Sequence, residues 1–272
     1  MHIDIRQIKN ILTRQQQRWW IDIILFLVSA WCLVWLLTRG SEQLGYHWQW
    51  YRVPQYLLSF SDGRWTPGPL LQGVWITLQI TSLSLLLAII IGLTAAICRQ
   101  SPSIIGRLLS RCYVELIRNT PLLVQLFFIY FVLAPVLDIG RFFSAVLALS
   151  LFEGAYASEI FRAGIQSIHR GQWEAAFSCG LTPLQTYRHI ILPQAIRRML
   201  PPLTGQAVSL IKDSALVSTI AIYDLTMQGQ AIISETFLTF ELWFTVAAIY
   251  LLMTGTLSAI VQLLEKRQPL TG

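Results

Sequence analysis

Ile21 to Thr38, Ile76 to Ile97 and Phe142 to Leu151 are apolar with few interruptions, and such runs are too apolar to lie on the surface of a water-soluble fold. The first is long enough to cross the hydrocarbon core of a bilayer. Composition agrees: 54% of the 272 residues are hydrophobic and 12% charged, where a soluble domain carries about a quarter charged residues. The chain is therefore expected to be an all-α integral membrane protein.

Spans are expected at about 21–38, 72–98, 112–135, 142–166, 203–222 and 241–264, six in number. The first has the length of the others and lacks a small-residue cleavage site, so it reads as a retained anchor rather than a signal peptide. With the N-terminus inside, the inner segments hold Arg6, Lys9, Arg14, Arg18, Arg99, Arg107, Arg111, Arg170, Arg188, Arg197, Arg198, Lys266 and Arg267, and the outer ones hold Arg39, Arg52, Arg64 and Arg141. That imbalance places both termini in the cytoplasm. Residues 39–71 then form an outer loop whose Trp48, Trp50, Tyr51 and Trp65 suit a membrane interface. Segment 223–240 reads as a short surface or re-entrant helix on the same side.

Other classes fit poorly. The net charge of +6 is spread beside apolar segments rather than along one soluble face, which argues for topology and against nucleic acid. Cys32, Cys98, Cys112 and Cys179 have no close spacing, so neither a disulfide framework nor a metal site is expected. No phosphate loop, His-Glu-x-x-His site or nucleophile elbow occurs, so the chain is not expected to hydrolyse ATP, to hold a cofactor or to act as an enzyme. No internal repeat joins its two halves, which weighs against a repeat-built secondary transporter.

The longest basic polar stretch lies between the fourth and fifth expected spans. It reads Glu174-Ala175-Ala176, three residues, Gly180, nine residues, Ile190, any residue, Leu192-Pro193. Gln172 to Cys179 is a good helix former ended by Gly180, and Thr182-Pro183 has the form of a cap and first position of a second short helix. The spacing resembles the signature loop of ABC-importer permeases. Tyr113 to Gln125, Ala155 to Gly164 and Lys212 to Leu216 are similar to the polar amino-acid branch, which takes up histidine, glutamine and arginine, and the resemblance covers roughly residues 70–267.

The resemblance implies a type I importer permease fold of the bacterial inner membrane. Its parts would be a cytoplasmic segment at 1–20, an extra span and periplasmic loop at 21–71 and a permease domain at 72–267 with a coupling loop at about 167–193. It implies that Glu174, Ala175, Ala176, Gly180, Leu192 and Pro193 dock a separate ATP-binding-cassette ATPase subunit. It also implies a second permease subunit, identical or paralogous, and a periplasmic binding protein that delivers a polar amino acid.

Ionisable groups within spans are costly and need partners or a wet path. Glu153, Tyr156, Glu159, Arg162 and Gln166 share one helical face, as do Gln206, Ser209 and Asp213, while Gly73, Thr77, Thr81 and Ser84 form a small-polar stripe. Resemblance and helix geometry together assign Gly73, Thr77, Glu159, Gln206 and Asp213 to the substrate path, with Glu159 free to meet an amino or guanidinium group. The competing readings are close helix packing for the Gly73 stripe and a structural ion pair for Glu159 with Arg162. An ion-coupled carrier or channel using Glu159, Lys212 and Asp213 is the alternative function, and it leaves the coupling loop unexplained.

Overall fold

The computed structural model describes residues 5–43, 46–61 and 63–266; Arg267 and the other residues beyond these lie outside it. The chain divides into two compact units, 1–49 and 50–272. In the first, α1 (Ile5–Gln43) carries an apolar stretch, Trp19–Gly40, whose side chains are exposed on every face. A helix apolar all round is suited to lipid.

The second unit opens with a 3-10 turn (Trp50–Arg52), the short α2 (Pro54–Leu57) and a hairpin of β1 (Leu58–Ser61) and β2 (Arg64–Pro67). Phe60 pairs with Trp65 across the strands, and Gly63 supplies the left-handed turn residue. The composition of this loop points to aromatic anchoring but not to a hairpin.

The remaining helices are α3 (Pro69–Gln100), α4 (Ile104–Arg118), α5 (Leu122–Phe127), α6 (Ala134–Leu137), α7 (Arg141–Gln166), α8 (Arg170–Ser178), α9 (Pro183–Thr186), α10 (Leu192–Asp213), α11 (Leu225–Thr236) and α12 (Thr239–Lys266). A π-helical stretch, Phe128–Leu133, fuses α5 to α6. Among the described residues four helices are long and apolar enough to cross a membrane, or five if the bent pair of α4 with α5–α6 counts as one span.

Two of the expected spans are not single continuous helices. The span expected at 112–135 is broken after Arg118, and the chain turns by 109° before Leu122. Pro121 is the cause: it has no N–H to give to Ile117, and it pushes Thr120 out of the helical region. The span expected at 203–222 is instead a polar helix that starts at Leu192 and gives way after Asp213 to a 3-10 stretch, Ser214–Ile220. Pro201 and Pro202, residues that ordinarily break a helix, both sit inside α10 on exposed positions. The carbonyls they leave unpaired belong to the exposed Arg197 and Arg198, so the usual penalty of an interior proline is reduced.

The central packing is α3 against α7. Ser84, Ala88, Gly92 and Ala96 on α3 are buried, as are Ser150, Gly154, Ala157 and Ser158 on α7. Small residues let two backbones approach closely where lipid offers no hydrophobic drive. A Cβ on Gly92 would lie 2.8 Å from the Ala157 Cβ and 2.9 Å from the Gly154 carbonyl. Gly92→Val is expected to destabilise the fold by about 2 kcal/mol through overpacking, seen as a fall of several degrees in Tm in detergent; an unchanged Tm would show that these helices separate readily.

Candidate coupling loop and polar path

Between α7 and α10 the chain folds into a knob of two short helices. The Nδ1 of His169 accepts from the Gly171 N–H at 3.0 Å and caps the start of α8. At the other end Gly180 adopts φ +78, the Gly180 N–H donates to the Phe177 carbonyl and the Leu181 N–H to the Ala176 carbonyl. This paired closure satisfies carbonyls left over at a helix end and favours glycine. Thr182 and Gln185 then form a reciprocal capping box with Pro183 in the first turn of α9.

Trp173 holds the knob together, with its ring 6.5 Å from Phe177 and 6.1 Å from Tyr187. Burial pushes the Tyr187 phenol above its ordinary value, so this ring serves as a neutral packing group. Ala176 is buried against this core, whereas Glu174, Ala175, Gly180, Phe177 and Leu184 are exposed. The Glu174 carboxylate makes no hydrogen bond or ion pair among the described residues. A π-helical turn, Tyr187–Ile191, joins α9 to α10, so Leu192 and Pro193 sit where the knob runs into the long helix.

Within the bundle the expected polar groups separate into three places. Glu159 on α7 is held by two guanidiniums: Arg99 at the end of α3, and Arg162, whose Nη2 lies 2.7 Å from Oε2. Arg162 also donates to Gln166 at 2.6 Å. Glu159 therefore carries a structural ion pair on each side rather than an open carboxylate. It borders a polar cleft of 390 Å³ lined by Arg99, Glu115, Arg118, Asn119 and Tyr156.

One turn and a half toward the start of α7, Glu153 is 2% exposed and accepts a 2.9 Å bond from the Nε2 of Gln206 on α10. This is a direct polar link between the helix that carries the knob and the centre of the bundle. Asp213 ends α10, and Lys212 forms no ion pair among the described residues.

Gly73 and Thr77 lie elsewhere. The Oγ1 of Thr77 accepts from the Leu225 N–H at 3.2 Å, and a Cβ on Gly73 would stand 2.8 Å from the Leu225 Cα. These two residues seat the start of α11 on α3. Asp224 completes the junction: it is buried, caps α11 through the Met227 N–H and accepts from the Tyr250 hydroxyl on α12 at 3.2 Å.

The sequence matches the family described as binding-protein-dependent transport system inner membrane component over residues 88–268. The chain belongs to this family. The permease is 42% identical over 207 residues to the glutamine transport system permease protein GlnP of Escherichia coli (strain K12), covering 75% of this chain and 94% of that one. It is 40% identical over 198 residues to the L-cystine transport system permease protein TcyB of Bacillus subtilis (strain 168), with 72% and 84% covered. A solved structure, the crystal structure of an amino acid ABC transporter with histidines, superposes with a TM-score of 0.70 at 40% identity over 73% of the permease and 94% of that chain. The permease is thus a multi-pass component of an inner membrane and has the type I importer permease fold.

Sequence reasoning missed Arg99 as a partner of Glu159, because sixty residues separate them and no local pattern joins them. It also missed the Asp224 junction. The signal there was present: an Asp immediately before the apolar run of α11 is a common helix cap.

Proposed function

We propose that the permease forms the translocation path for polar amino acids in an ABC importer and couples it to a separate ATPase subunit. The observation that carries this is the knob: two capped short helices with an unengaged Glu174 and an exposed apolar rim of Ala175, Phe177 and Leu184, continuous with a helix that touches the bundle centre through Gln206 and Glu153. Nucleotide-driven closure of the ATPases would move the knob and with it α10. The names of the similar proteins support an amino acid as cargo. The knob then faces the cytoplasm, both termini lie on that side, and the hairpin and α11 face the periplasm, where a binding protein delivers the cargo to a pair of permeases.

In this reading Glu174, Ala175 and Gly180 form the docking surface, while Ala176, Leu192 and Pro193 hold its shape. Gln206 and Asp213 border the path together with Glu153; Glu159 braces its cytoplasmic end; Gly73 and Thr77 fix α11 at its periplasmic end. ATP hydrolysis by an ATPase subunit, reconstituted in vesicles with the permease and a binding protein, tests the reading across a panel of amino acids. Stimulation by one polar class is expected. Hydrolysis indifferent to every amino acid, from subunits shown to be assembled, would favour an ion-driven carrier.

A further inference from the structure

On the knob side of the bundle, a second cleft of 490 Å³ opens between α4, α7 and α10. Its charged lining is Arg118 and Arg198 with Glu159, and the rest is Ile160, Ala163, Gly164, Ser167 and Pro202. Glu159 is already neutralised by Arg99 and Arg162. Arg118 has no carboxylate partner among the described residues and stacks 5.2 Å over the Tyr156 ring. Arg198 donates to the Ser167 carbonyl at 2.5 Å, which fixes its guanidinium at the rim. The two guanidiniums that line the cleft, Arg118 and Arg198, thus stand beside a carboxylate already paired with two others, and even with the exposed Glu115 from the adjoining cleft the excess is positive.

The surroundings are those of a membrane surface. Helix α4 is turned 109° from the helix that follows it. Its Ile104, Ile105, Leu108, Leu109 and Leu116 are exposed, and Arg107, Arg111, Glu115 and Arg118 run along it at separations of four, four and three. An apolar stripe beside a basic one is the pattern of a helix lying in the headgroup plane.

We propose that this cleft binds an anionic phospholipid. Arg118 and Arg198 receive the headgroup phosphate, and Ile160, Ala163, Gly164 and Pro202 receive the glycerol and upper acyl chain. Basic pockets between helices on the cytoplasmic side suit such headgroups. A polar amino acid would gain nothing from the apolar wall, whereas a lipid uses both halves of the cleft. The cytoplasmic placement rests on the importer reading; the lipid preference itself does not.

The test places the permease, assembled with its ATPase subunit, in phosphatidylcholine vesicles carrying a trace of spin-labelled phosphatidylglycerol or spin-labelled phosphatidylcholine. The fraction of label held immobile on the protein is read by electron paramagnetic resonance. Phosphatidylglycerol is expected to be preferred by about five-fold for each arginine, R118Q/R198Q to lose most of that preference and R118K/R198K to keep it. Equal retention of the two lipids by the wild type, or a preference that survives in R118Q/R198Q, overturns the proposal. So does displacement of the labelled lipid by millimolar inorganic phosphate, which would mark a free-anion site. Because the readout needs no transport, loss of amino-acid-stimulated hydrolysis with the lipid preference intact would count against the importer reading alone.

Discussion

Glu174→Lys is expected to uncouple the permease from its ATPase while leaving the permease folded. The carboxylate is exposed and bonds to nothing among the described residues, so its loss touches no internal contact, and surface changes of this kind shift stability by less than about 0.5 kcal/mol. A charged group at the centre of a knob proposed to dock on an ATPase is a different matter. Reversing it removes an anchor worth about 2 kcal/mol or more, which weakens association about thirty-fold. Co-purification of the ATPase with the variant, and amino-acid-stimulated hydrolysis in vesicles, measure the loss. Undiminished co-purification and stimulation would mean that the knob docks through its apolar rim alone.

Glu159→Gln is expected to damage the fold rather than the choice of cargo. It strips Arg99 and Arg162 of the only anion they share among the described residues, with all three side chains largely shielded. Breaking one side of a buried pair typically costs about 3–5 kcal/mol; the partial exposure of this cluster puts the effect near the lower bound. Adding Arg99→Gln restores part of the loss, because it removes one of the two stranded charges. Thermal unfolding of the two variants in detergent decides the point. A Glu159→Gln protein with wild-type Tm and altered amino-acid selectivity would return the residue to the substrate path, where the helical-face pattern first put it.

What the sequence reveals here follows the range of the interactions. The knob is legible because its determinants are local: Gly180 for a left-handed closure, Thr182-Pro183-Leu184-Gln185 for a capping box, and the motif spacing itself. The apolar runs are legible because lipid imposes a length. Where a proline interrupts an otherwise apolar run, composition averages over it, and the break at Pro121 is lost. Pro201 and Pro202 mislead in the other direction, since only their exposed setting tells that the helix continues. Helical faces are visible from spacing, but what each face meets is not. The stripe of Gly73 and Thr77 meets the backbone of α11, and Glu159 meets an arginine from another helix.

From Pro183 to Asp213 the chain never leaves a helix: α9, the π turn and α10 are contiguous. Such a rod transmits rotation as well as push. A π turn is an α-helix with one residue inserted, and each residue of an α-helix advances the winding by about 100°. The turn at Tyr187–Ile191 therefore sets the phase between the knob and everything beyond it. With one residue removed there, Gln206 would swing away from Glu153 while the knob kept its own shape. The angle between the knob and the Gln206–Glu153 link is written in that single extra residue.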